Sequence, residues 1–141
     1  MNDQRPLPAL VGATENTLRA LLTATLSTTP IKTYPAWVVL SAAPSHDTRD
    51  ATAGHWLARV SEVLKVEPGL VDEVLTQLNR DGLVTADNSL TPRGEAELSS
   101  ARIAVATATA KLIEGVNSDD EATVRRVLDQ MRLKAEELLT A

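Results

Sequence analysis

Cysteine is absent from all 141 residues, which excludes a disulfide framework, a thiolate metal site and a thiol redox sensor. Phenylalanine is absent as well, and Tyr34, Trp37 and Trp56 are the only aromatic residues. Ala, Leu, Val and Thr must therefore fill the core, which favours close-packed helices over aromatic-rich sheets. No apolar stretch approaches the length of a membrane span, and the N-terminus, with Asp3 and Arg5, lacks an apolar signal core. The expectation is a cytoplasmic chain with no membrane partner. There is no glycine-rich phosphate cradle and no nucleophile arranged with His and an acid, so nothing points to an enzyme or to a cofactor.

What is present describes an ordinary soluble globular protein, 43% hydrophobic and 23% charged, with the length of one compact domain. The formal net charge of -5 gives no global attraction to nucleic acid. Any such binding needs a local basic patch.

Periodicity predicts an all-α chain. Residues 1–13, with Pro6, Pro8 and Gly12, read as extended. A helix over about 14–28 follows, with Leu18, Leu21, Leu22 and Leu26 at helical spacing, Thr14 as its cap and Pro30 after its end. A short helix spans about 35–43, and another about 52–64. Pro68 opens the next, over about 68–81, whose Val71, Val74, Leu75 and Leu78 form one apolar face and which Gly82 stops. Leu83-Val84 and Leu90-Thr91 read as short strands around a polar turn. Thr91 caps a long helix to about 114, rich in alanine and threonine. Ser118 and Glu121 form a capping box for the last helix, where Val124, Leu128, Met131, Ala135 and Leu138 make a coiled-coil seam. Two long seams in so short a chain favour a homodimer over an intrachain hairpin.

This order of elements resembles the multiple-antibiotic-resistance-regulator (MarR) family of winged-helix transcriptional regulators. The most specific match runs from Leu78 to Gly94, where Leu-x-x-x-Gly-Leu-Val closes one helix and Leu-Thr-Pro-Arg-Gly opens the next. The resemblance implies a single domain over 1–141, with a winged helix-turn-helix lobe at about 45–94 and dimerisation helices at about 14–28 and 92–139. It implies a homodimer on a pseudopalindromic operator in double-stranded DNA, one recognition helix entering each major groove. In many members it also implies a pocket for a small aromatic ligand. Here the wing departs from the pattern, being short, with no basic residue in Ala86-Asp87-Asn88-Ser89.

If Val71, Val74, Leu75 and Leu78 face the core, then Gly69, Leu70, Asp72, Glu73, Thr76 and Gln77 face outward. On the resemblance, Gly69, Leu70, Asp72, Thr76 and Gln77 would meet DNA, with Arg49 and Arg93 as phosphate contacts. The segment 45–94 carries five basic residues against eight acidic ones, the wrong sign for that task. A dimer that has lost DNA binding and uses its lobe, with exposed Leu70, for a protein or a small ligand is the alternative. Tyr34, Trp37, His55 and Trp56 would line the ligand pocket, Tyr34 and His55 as polar handles; the plainer role for these rings is to pack a junction. His46, Asp47, Asp50 and His55 fall close together but fit no metal-ligand spacing, so no metal is expected.

Overall fold

Proline marks where four of the helices begin. Pro8, Pro35, Pro68 and Pro92 occupy the first turns of α1 (Leu7–Thr25), α2 (Tyr34–Ala42), α4 (Pro68–Arg80) and α5 (Pro92–Leu112), where a missing N–H leaves no hydrogen bond unmade. α3 spans His55–Leu64 and α6 Ser118–Leu139. The structure, a computed structural model, describes residues 4–44 and 55–141, and for His55 the backbone alone. The expected start of α3 near residue 52 lies outside those residues.

Two local readings need correction. From Leu7 onward the expected extended segment is helix. Pro6 stands at the cap position and Pro8 in the first turn, so both begin a helix rather than prevent one. Thr14 lies inside α1, its hydroxyl donating to the Leu10 carbonyl at 2.8 Å. At the other end, Asn117 caps α6 in place of Ser118: its side chain accepts from the Asp120 N–H at 3.0 Å. The acidic first turn, Asp119 to Glu121, suits the positive end of that helix.

α4 buries Val71, Leu75 and Leu78, as its periodicity requires, with Val74 half-buried. It ends in a Schellman motif. Gly82 sits at φ +76°, its N–H donates to the Asn79 carbonyl at 3.1 Å, and the Leu83 N–H reaches the Leu78 carbonyl at 3.0 Å. The chain then turns back on itself. Val84 and Leu90 form an antiparallel bridge, the Thr85 N–H donates to the Ser89 carbonyl at 2.7 Å, and the Asn88 N–H donates to the Thr85 carbonyl at 3.0 Å. Asn88, at φ +65°, holds the left-handed position of a three-residue loop. The Leu90 N–H also reaches back to the Pro44 carbonyl at 2.9 Å.

Thr91 joins this turn to α5. Its hydroxyl donates to the Gly82 carbonyl at 2.6 Å and accepts from the Gly94 N–H at 2.9 Å, so one side chain ties the end of α4 to the start of α5. Beneath lies the core, with Leu26, Ile31, Val39, Leu40 and Leu83 fully buried among Trp56, Val60, Leu98 and Ala101.

The chain divides into two compact units, Met1–Ala108 and Thr109–Ala141. The second holds the end of α5, a turn with Gly115 at φ +84°, and α6. Along α6, Val124, Leu128 and Leu138 are 53%, 43% and 65% exposed.

Candidate nucleic-acid interface

The outward face of α4 is as the periodicity predicts: Gly69, Leu70, Asp72, Glu73, Thr76 and Gln77 are all exposed. Their polar groups are partly engaged within the helix. The Thr76 hydroxyl donates to the Asp72 carbonyl at 2.9 Å, and the Gln77 amide nitrogen donates to Asp81 Oδ1 at 3.1 Å. Grooves flank this face on both sides. One, of about 710 Å³, sets Leu70, Glu73 and Gln77 opposite Pro30, Lys32 and Thr33, with Arg80 and Arg93 at its end. The other, of about 490 Å³, sets Asp72, Thr76 and Asn79 opposite Ala86 and Asn88 of the turn.

This geometry modifies the charge argument. Lys32 lies outside the segment 45–94, yet folding makes it line the larger groove together with Arg80 and Arg93. Three cations there stand against Glu73 and Asp81. Among the described residues, neither Lys32 nor Arg80 has an ion-pair partner. Sequence counting missed Lys32 because the α1–α2 connection is remote from α4 in the chain and close only after folding.

Arg93 has a local task as well. Its Nη1 donates to the Asp81 carbonyl at 3.0 Å, satisfying an acceptor left open at the end of α4. Lys65, in the α3–α4 turn at φ +55°, is paired with Glu62. Arg49 lies outside the described residues. At the turn tip, Ala86 and Asp87 are exposed, and the Thr85 hydroxyl donates to the Asp87 carboxylate.

The structure describes the side chains of three of the four residues expected to line a ligand pocket. Trp37 and Trp56 do come together, lining a hollow of about 430 Å³ between α2 and α3 with Ser41, Arg59, Val60 and Val63. Tyr34 is not among its lining residues. Its ring instead receives the Arg19 guanidinium, 4.9 Å from the centroid, and Arg19 is held by Glu15 at 2.6 Å. His55 opens α3. Arg59, one helical turn beyond Trp56 and so on the same face, puts a cation at this hollow that lies outside the expected set. His46, Asp47 and Asp50 lie outside the described residues, among which no group of His, Asp and Glu is placed to hold a metal ion.

No protein-family model and no curated protein sequence matches this chain. Solved structures do match it. A MarR family protein of Mycobacterium tuberculosis, in complex with salicylic acid, is 26% identical over 90% of this chain and 98% of its own, with a TM-score of 0.63. The same protein in complex with DNA is 25% identical, over 91% and 98% of the two chains, at a TM-score of 0.63. A MarR/EmrR family transcriptional regulator of Acinetobacter sp. ADP1 is 14% identical, over 97% and 99% of the two chains, at a TM-score of 0.76. The fold of this chain, six helices in the order described, is thus similar to that of MarR family transcriptional regulators.

Proposed function

We propose that the chain is a MarR-type transcriptional regulator that acts as a homodimer on a pseudopalindromic DNA site. The observation that carries this reading is the exposed face of α4, held outward by burial of Val71, Leu75 and Leu78, with Lys32, Arg80 and Arg93 lining the groove beside it. A recognition helix needs such a face, with cations beside it for the phosphates. The M. tuberculosis protein of the same fold in complex with DNA supports this assignment. The bridge between Val84 and Leu90 is read as the base of a two-stranded wing, and Thr85 to Ser89 as its short tip.

The exposed seam of α6 supports the dimer, since an apolar stripe at coiled-coil spacing is stable in water only when covered. The hollow at Trp37 and Trp56 supports an aromatic ligand whose binding changes the spacing of the recognition helices. A neighbour in complex with salicylic acid supports that ligand class. Among the described residues no helix is long and apolar enough to cross a membrane, consistent with a regulator working beside cytoplasmic DNA. The second reading, a dimer that uses α4 and exposed Leu70 against another protein, draws its support from the acidic lobe.

The two readings separate in a titration of the DNA upstream of the chain's own gene at several salt concentrations. A regulator gives a specific complex whose affinity falls steeply with salt. Absence of any complex at low salt sinks the DNA reading and leaves the protein-interaction one.

A further inference from the structure

The hydrogen-bond polarity of α4's outer face selects which bases it is able to read. Asp72 and Glu73 are exposed carboxylates, which accept and never donate. Thr76 spends its only hydrogen on the Asp72 carbonyl, leaving oxygen lone pairs. Gln77 has its amide nitrogen turned to a carboxylate, Asp81, which fixes the amide orientation and commits one of its two hydrogens. Toward solvent this face therefore offers almost only acceptors. The cations Lys32, Arg80 and Arg93 line the groove beside this face and are not among its outward residues Gly69 to Gln77, so they are assigned to the phosphates.

In the major groove the base-edge donors are the cytosine N4 and adenine N6 amines, whereas guanine and thymine present acceptors there. We infer that α4 reads amino bases, with Asp72 and Glu73 each accepting from a cytosine N4 amine, and that it excludes guanine from the positions it faces. Cytosine suits a carboxylate better than adenine does, because adenine N7 places an acceptor beside its amine. The acidic residues that weaken non-specific attraction thus act as the specificity determinants. This rests on the DNA-binding reading, and its test separates the two.

The test is selection of the full-length chain against random duplexes, followed by affinity measurement on the enriched site and its single-pair variants. The expected half-site has cytosine at the positions facing the second turn of α4, and exchanging C·G for T·A there weakens binding about tenfold. In Asp72→Asn, which adds a donor to the acceptor, preference at one position per half-site moves from cytosine to adenine while the rest of the site is unchanged. A merely structural Asp72 would instead lower affinity for all sites alike. Enriched half-sites that place guanine opposite α4, or an unaltered preference in both Asp72→Asn and Glu73→Gln, overturn the inference and leave DNA binding standing. No enriched duplex at all overturns both.

Discussion

Gly94 lies against the backbone of Leu83 so closely that a Cβ on it would sit 2.1 Å from the Leu83 carbonyl oxygen. The contact is between two stretches of backbone, so no side chain is able to swing aside. Gly94→Ala must therefore push the start of α5 away from the segment that leaves α4, breaking the bonds Thr91 makes to both. The expected loss is about 3 kcal/mol, read as a lower denaturant midpoint at unchanged slope. A midpoint like that of the parent would contradict the packing described.

Arg93 is expected to contribute twice. Through its bond to the Asp81 carbonyl, Arg93→Met should cost about 1 kcal/mol of stability. If it also meets a phosphate, the same variant should lower the slope of log affinity against log salt by about one. A loss of stability with an unchanged slope would confine Arg93 to its capping role.

The α6 seam should be covered in the working protein. Replacing Leu128 and Leu138 by Glu puts charge on two of its exposed apolar positions and should weaken self-association at least about tenfold. Sedimentation equilibrium reads this directly. A parent chain that sediments as a monomer, or a double variant that still dimerises, would contradict the proposed assembly.

Trp37 and Trp56 share one hollow with Arg59, so aromatic acids should change tryptophan fluorescence. Salicylate should bind more tightly than neutral salicylamide, and Arg59→Met should reduce that preference by about fivefold at most, as expected for an exposed ion pair. A flat response across a panel of phenolic acids would rule out a ligand at these rings.

The elements legible in the sequence were those written in strong local signals. Gly82 at the end of α4, Thr91 with Pro92 at the start of α5, and the apolar face Val71, Leu75, Leu78 all fall where local chemistry put them. The start of α1 was not legible, because Pro6 and Pro8 serve equally in an extended segment and in a helical first turn. Asn117 and Ser118 are adjacent and both good caps, so position decided between them only in the fold. The site was legible in part. Helical period placed Asp72, Glu73, Thr76 and Gln77 outward, but Lys32 reaches their groove through tertiary packing. The Arg19 guanidinium over the Tyr34 ring was not legible either, since it depends on how α1 packs against α2.

The central claim, that paired α4 helices meet DNA, is tested most directly by hydroxyl-radical footprinting of the chain's own upstream region. Two protected patches should appear with centres one helical turn apart or a multiple of it, about 10 base pairs for the shortest spacing. They should weaken together when Lys32 and Arg80 are both changed to Gln. Uniform cleavage of the DNA at concentrations that saturate the dimer would contradict the account.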